Sequence, residues 1–315
     1  MGRDRGAHVV VTGAAGFIGS HLVRALRADG HRVVGVDDHR GGDTRALASA
    51  RLAELVDDPG FDLLELDVAD PAFAGAAAGA RAIFHFAGRP GARELDVDAL
   101  RRGNVTTTAR VVAAADAAGV PDLVFASTSS VYGDGGRRGP SQETDAAVPL
   151  TAYGESKRAA ERVVLGARQR STVVRLFTVY GPHQRSDMAF ARFAAAARTG
   201  ATAPMYQEHA VARDFTYVDD AVRGTILAWR RGTAPVYNVS GGEAIPLARA
   251  CRTIEELTGG TIRTYSAPAP AQPSVTAADL SLARRHLGYR PEVDLRTGLR
   301  AQIAAMPAVQ PVTAG

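Results

Sequence analysis

Thr12-Gly13-Ala14-Ala15-Gly16-Phe17-Ile18-Gly19 is the stretch whose chemistry points to a fold. It follows a short β-branched run, His8-Val9-Val10-Val11, and opens a segment where Ile18, Leu22, Ala25 and Leu26 recur at helical spacing as far as Gly30. Glycines at 13, 16 and 19 permit a tight turn, close backbone approach to a pyrophosphate and close helix packing. The helix start, with Phe17 and Ile18, then offers free N–H groups and a positive dipole end to phosphates. A glycine turn alone means little; its place between strand and helix gives it this reading. About twenty residues on, Asp37 ends the second apolar run, where a carboxylate bonds ribose hydroxyls and repels a 2′-phosphate. NAD is therefore the expected cofactor. Arg40 would suit NADP, but reads as an exposed loop arginine. Asp67 and Val68 either meet the adenine edge or form an ordinary turn after the third run, Phe61 to Leu66.

Outward from that turn the same rhythm repeats. Arg81 to Phe86, Asp122 to Ala126 and Thr172 to Phe177 are strand-like, and a helix is expected from Tyr153 to Gln169. Strands alternating with helices imply an α/β fold, a Rossmann-type doubly wound parallel sheet. Past Leu176, prolines at 182, 204, 235, 246, 268, 270 and 273 break the rhythm. The expected organisation is a dinucleotide-binding domain over 1–176, with a segment near 214–241 returning to it, and a smaller, mostly C-terminal substrate lobe over 177–315. Gly133 to Gly139 reads as a mobile surface loop, and the tail after Met306 as frayed.

Composition excludes several classes. Among 315 residues, 37 Lys+Arg oppose 33 Asp+Glu, a net charge of +4, with 46% hydrophobic and 22% charged residues. That is globular, not disordered. No apolar run reaches the roughly 18 residues of a membrane span, and no apolar stretch follows Met1-Gly2-Arg3-Asp4-Arg5 as in a secretory signal. A single cysteine, Cys251, fits a reducing compartment, so a soluble cytoplasmic protein is expected. Arginine pairs at 101–102, 137–138 and 230–231 are scattered, which argues against a nucleic-acid partner. No His/Cys/Asp/Glu grouping has metal-ligand spacing. His85 and His21 read as packing residues, and Cys251 as core.

Tyr153 and Lys157 form a second constellation. At i and i+4 they share one helix face, and an ammonium beside a phenol favours the phenolate. Such a tyrosine takes a proton from a substrate hydroxyl while NAD⁺ takes hydride. Ser127-Thr128-Ser129-Ser130, at a strand end, would put a hydroxyl beside it.

These motifs, with Ser127-Thr128-Ser129-Ser130-Val131-Tyr132-Gly133, Tyr153-Gly154-Glu155-Ser156-Lys157 and Arg213-Asp214-Phe215-Thr216-Tyr217-Val218-Asp219-Asp220, make the chain resemble the extended short-chain dehydrogenases/reductases that modify nucleotide sugars. The resemblance runs nearly the full length. It implies that Tyr153 and Lys157 are catalytic, that Thr128 orients the sugar hydroxyl, and that Arg213 holds the diphosphate of a UDP-sugar. It implies cofactor contacts at Ala87 and Asn104, and a homodimer through the helices beginning near Asn104 and carrying Tyr153. The family's 4,6-dehydratases carry Asp-Glu after the catalytic threonine, and its decarboxylases usually read Thr-Ser-Glu. Ser129 and Ser130 stand there instead.

Phe177-Thr178-Val179-Tyr180-Gly181-Pro182 with Arg185-Ser186-Asp187-Met188 is similar to the corresponding segment of UDP-glucuronate 4-epimerases. Gly91-Ala92-Arg93 and Arg51-Leu52-Ala53-Glu54-Leu55 also match their pattern. The resemblance implies that Arg93, Ser129, Thr178 and Arg185 serve the sugar and its carboxylate. Departures are Ser186 in place of proline, a short Gln272 to Thr276 stretch, and Gly88-Arg89-Pro90 where Ala-Gln-Ala is usual. The expected reaction is 4-epimerization of UDP-glucuronate through a 4-keto sugar. Its rivals are decarboxylation to a UDP-pentose, epimerization of a neutral sugar, and an idle NAD-binding scaffold.

Overall fold

The computed structural model describes residues 8–40, 45–91, 96–135, 139–205, 211–268 and 272–307. The first half runs β1 (His8–Thr12), α1 (Phe17–Ala28), β2 (Val33–Asp37), α2 (Arg45–Leu52), β3 (Phe61–Glu65), α3 (Phe73–Ala77) and β4 (Ala80–His85). There follow α4 (Val97–Leu100), a π-helical segment (Arg101–Thr106), α5 (Thr107–Ala118), β5 (Asp122–Thr128), α6 (Ala152–Leu165) and β6 (Arg170–Leu176). Next come β7 (Val179–Tyr180), α7 (Ala189–Thr199), β8 (Thr202–Met205), β9 (Ala212–Asp214), β10 (Thr216–Tyr217) and α8 (Val218–Arg231). The chain closes with β11 (Val236–Val239), β12 (Ala244–Pro246), α9 (Leu247–Thr258), β13 (Arg263–Ser266), α10 (Ser281–Leu287) and α11 (Leu295–Ala304).

A parallel sheet of order β11-β6-β5-β4-β1-β2-β3 is the frame, so the α/β expectation holds. Its central strands are apolar on both faces because helices cover both. Val9 and Val11 join Leu22, Leu26 and Phe84 in one core, while Val10 joins Ile83, Leu123, Val111 and Ala160 in the other. That alternation is the two-residue period of a strand read through the sheet. Strand order reverses between β1 and β4, the switch point beyond whose carboxyl ends a crevice opens. After β10 the chain comes back: α8 packs on α1, and β11 pairs with β6. A third core, built on Tyr180, Phe190, Phe193, Phe215, Ile254 and Leu299, holds α7, α9 and α11 beside the crevice.

Some boundaries differ from expectation, each for a local reason. The helix expected to reach Gln169 starts where the Thr151 hydroxyl accepts from the Gly154 N–H, and stops at Gly166. The strand expected to end at Ala126 continues to Thr128, because β6 pairs with it to the last residue. Of the Gly133 to Gly139 loop, residues 136–138 lie outside the described residues, as does the tail beyond 307.

Candidate active site

One cleft of about 1360 Å³ opens along the carboxyl ends of the strands. At its first wall the glycine turn has the geometry its composition requires. Gly13 has φ +71° and donates its N–H to Val36 O at 2.8 Å; a Cβ there would lie 2.7 Å from Ala87 N. A Cβ on Gly19 would fall 1.9 Å from Gly13 O. α1 is capped at Gly16 with no side-chain cap bond and no acidic residue in its first turn, so the leading N–H groups of a helix end that lines the cleft with Phe17 and Ile18 meet no carboxylate of their own turn. Asp37 Oδ2 accepts from Ala15 N–H at 2.9 Å and Oδ1 from His39 N–H at 2.8 Å. A carboxylate has lone pairs beyond those two bonds. Asp67 is exposed and accepts from Ala69 N–H at 2.8 Å, so it makes its turn as well as lining the cleft beside buried Val68. Ala87 donates to Thr12 Oγ1 at 3.1 Å. This donor set, cradle and ribose-side acid fit a dinucleotide.

Catalytic candidates meet at the centre. Thr128 at the end of β5 and Tyr153 and Lys157 on α6 all line the cleft, with the Thr128 hydroxyl donating to Ser130 Oγ at 3.2 Å. Burial raises the Tyr153 phenol above its ordinary value, against the pull of Thr128 and of the Arg185 charge. Burial likewise brings Lys157 down to about 7, opposed by the charge of Glu161 one helical turn on. Spacing alone predicted a lowered phenol; desolvation outweighs it. Lys157 Nζ lies 4.1 Å from the centre of the Phe125 ring.

Around this pair the polar groups are closely paired. Asn104, on the π-helical segment, donates to Ser156 Oγ at 2.9 Å and to Arg89 O at 3.1 Å, and accepts from Arg89 N–H at 2.8 Å. Ser156 in turn donates to Tyr153 O at 2.8 Å. His85 is buried between Thr12 Oγ1 at 2.8 Å and Thr108 Oγ1 at 3.0 Å, and burial pushes it down to about 3. Thr108 donates onward to Asn104 O at 2.5 Å, so it accepts from His85 Nε2–H, and Nδ1 accepts from Thr12. A neutral histidine fixed this way positions and takes no proton.

Ser129, Thr178, Arg185 and Arg213 line the same cleft. Arg185 makes a bidentate pair with Asp187, Nε to Oδ1 at 2.9 Å and Nη2 to Oδ2 at 2.6 Å. Arg213 donates to Ala212 O and Ser274 O, both at 3.0 Å. Arg93 lies outside the described residues. Among the described residues the carboxylates lining the cleft are Asp37, Asp38, Asp67 and Asp187; none adjoins Thr128 in sequence, where Ser129 and Ser130 stand.

The family follows from a match over residues 9–240 to the NAD dependent epimerase/dehydratase family. The chain belongs to that family. Within it, the UDP-glucuronate 4-epimerase of Thermodesulfobacterium geofontis is 32% identical, covering 94% of this chain and 95% of the relative. The uncharacterized UDP-glucose epimerase YtcB of Bacillus subtilis is also 32% identical, over 96% and 98%. The crystal structure of UDP-glucuronic acid 4-epimerase from Bacillus cereus, in complex with UDP-glucuronic acid and NAD, superposes with a TM-score of 0.90 at 30% identity, covering 95% of this chain and 98% of that one.

Three site features of this epimerase/dehydratase chain escaped the sequence reading. Asp187 pairs with Arg185, and only their two-residue spacing hinted at it. Glu161 lies one turn beyond Lys157, a spacing that could have been followed one step further. The π-helical segment that aims Asn104 has no periodic signature at all; such bulges often occur at functional sites. Among the described residues no metal-binding group of His, Cys, Asp or Glu is present, and no helix is long and apolar enough to cross a membrane.

Proposed function

We propose that this chain catalyses the NAD-dependent 4-epimerization of UDP-glucuronate to UDP-galacturonate. One observation carries the reading: Thr128, Tyr153 and Lys157 open onto the same cleft as Arg185, Ser129 and Thr178, with hydroxyls where dehydratases and decarboxylases place acids. The likeness to an epimerase holding UDP-glucuronic acid and NAD supports the substrate and the cofactor. The glycine turn, Asp37, Asn104 and Lys157 would hold NAD, which when bound supplies an acceptor for the C4 hydride and a donor for its return.

The chain's own residues supply the rest. Tyr153 takes the O4 proton and gives it back to O4 after the 4-keto sugar has turned over and presented the opposite face of C4 to the returning hydride. Thr128 orients that oxygen; its hydroxyl and the Arg185 charge favour the phenolate against the burial that raises it, and a protonated Lys157 would add to that pull. Arg213 anchors the diphosphate, so the sugar can turn without leaving. In the keto sugar the ketone is β to the carboxylate, which is lost if the C–COO⁻ bond aligns with the carbonyl π system. Arg185, Ser129 and Thr178 keep it out of that alignment with charge-assisted and hydroxyl hydrogen bonds. The same proposal includes a soluble cytoplasmic homodimer paired through α5 and α6, and a division at residue 176.

Incubation with UDP-glucuronate and no added reductant, with products resolved by proton NMR, tests the reading. UDP-galacturonate rising to a stable ratio is the expected result. A UDP-pentose or 4-keto-pentose would replace epimerization with decarboxylation.

A further inference from the structure

Arg51, on α2, has no solvent exposure. Burying a guanidinium is costly unless its donors are paired. Here two separate loops supply acceptors. Nη1 donates to Ala15 O at 3.2 Å, while Nε and Nη2 donate to His183 O at 3.1 and 2.8 Å. Ala15 belongs to the glycine turn, and its N–H is the one held by Asp37. His183 has φ +62°, a left-handed conformation that costs a residue with a side chain. Gln184 comes next, with its side chain donating to Val179 O at 3.0 Å and accepting from Gln302 at 2.7 Å, and then Arg185. The preceding carbonyl, of Pro182, accepts from His21 of α1 at 3.1 Å. Successive carbonyls of the loop leading to Arg185 are thus fastened to the cofactor side of the cleft.

We propose that Arg51 is a positioning residue that couples NAD binding to sugar binding, because one rigid fork fixes both the phosphate turn and the loop carrying Arg185. This rests on the reading of the cleft as an NAD and nucleotide-sugar site. Order imposed on Ala15 by a bound pyrophosphate is transmitted to His183, and order imposed on the Arg185 loop by a sugar carboxylate returns to Ala15. Linkage makes the two effects equal. Lysine cannot substitute: an ammonium on a flexible stem lacks the planar fork that reaches both carbonyls.

The test reads binding, not turnover. The full chain carrying Tyr153→Phe is titrated with NAD in the presence and absence of saturating UDP-glucuronate. With Arg51 in place the sugar raises NAD affinity by about fivefold or more. Adding Arg51→Lys brings that ratio close to one. Arg51→Met, which fills the same buried space without donors and without a charge to bury, also lowers the ratio and serves if Arg51→Lys does not fold. A ratio of one with Arg51 present, or an unchanged ratio in the variants, overturns the coupling. Failure of UDP-glucuronate to bind at all would instead overturn the substrate reading; the same ratio taken with UDP-galacturonate, which carries the same carboxylate, then still tests Arg51.

Discussion

Tyr153 is the residue on which the chemistry depends, since its phenol meets Thr128 in the cleft. Tyr153→Phe should lower the rate of hydride transfer by roughly a hundredfold to ten-thousandfold while NAD stays bound. Rapid-quench assay with NAD quantified in the protein checks both halves. Lys157 makes a prediction about pH. Its native pKa of about 7 lies below its ordinary 10.5, so between those values the unfolded chain holds a proton that the native chain has released. Stability from this group therefore rises with pH through that window, and the cost of the buried charge is full below it. Lys157→Met removes the cost, so its thermal advantage over the parent, in protein stripped of NAD, should be larger at pH 7 than at pH 10. An advantage independent of pH would show that Lys157 stays charged. Arg185→Ala should weaken UDP-glucuronate by about 1.5–3 kcal/mol, the worth of a charged hydrogen bond, and leave UDP-glucose nearly unaffected. Competitive binding of the two sugars decides it. The i and i+4 spacing made the proximity of Tyr153 and Lys157 legible; it could not show the depth of burial that sets the direction of their titration.

At the scale of elements, the apolar pattern was enough wherever helices and sheet cover each other. β1, buried on both faces, reads as the unbroken run Val9-Val10-Val11, and α1, buried on one, carries its burial in the spacing of Leu22 and Leu26. The glycine turn was legible for a stricter reason: a Cβ on Gly19 would overlap Gly13 O at 1.9 Å, so nothing larger fits. Gly19→Ala should therefore push α1 off the turn and abolish NAD retention, measured by absorbance of the cofactor released on denaturation. A variant that purifies with full NAD would mean the turn can yield. The π-helical segment at Asn104 was illegible because most of what holds it is distant in sequence. Beyond the local bond from Thr108 to its carbonyl, the Asn104 side chain is held by the Arg89 backbone and by Ser156 on α6, contacts that no local pattern announces.

Across the whole molecule, the reversal of strand order between β1 and β4 locates the cleft, and a buried ion pair ties the cleft to the sheet. Arg175 on β6 donates to both oxygens of Glu161 on α6, at 3.0 and 2.8 Å, and to Tyr132 Oη at 2.9 Å. Ser127 on β5 donates to the same carboxylate at 2.5 Å. The helix that carries Tyr153 and Lys157 is thereby fixed to the two strands whose ends hold Thr128 and lead to Thr178. Removing one partner strands a charge in the interior, so Arg175→Met should destabilise the protein by about 3–5 kcal/mol. Replacing both, with Arg175→Met and Glu161→Met together, removes that stranded charge and should recover most of the loss, since apolar side chains of similar volume often match a buried pair. Urea denaturation of the two variants separates the cases. If the double variant is no more stable than Arg175→Met alone, then the hydrogen bonds from Ser127 and Tyr132 matter more than the charge pair, and the helix is held by a network that no single pair represents.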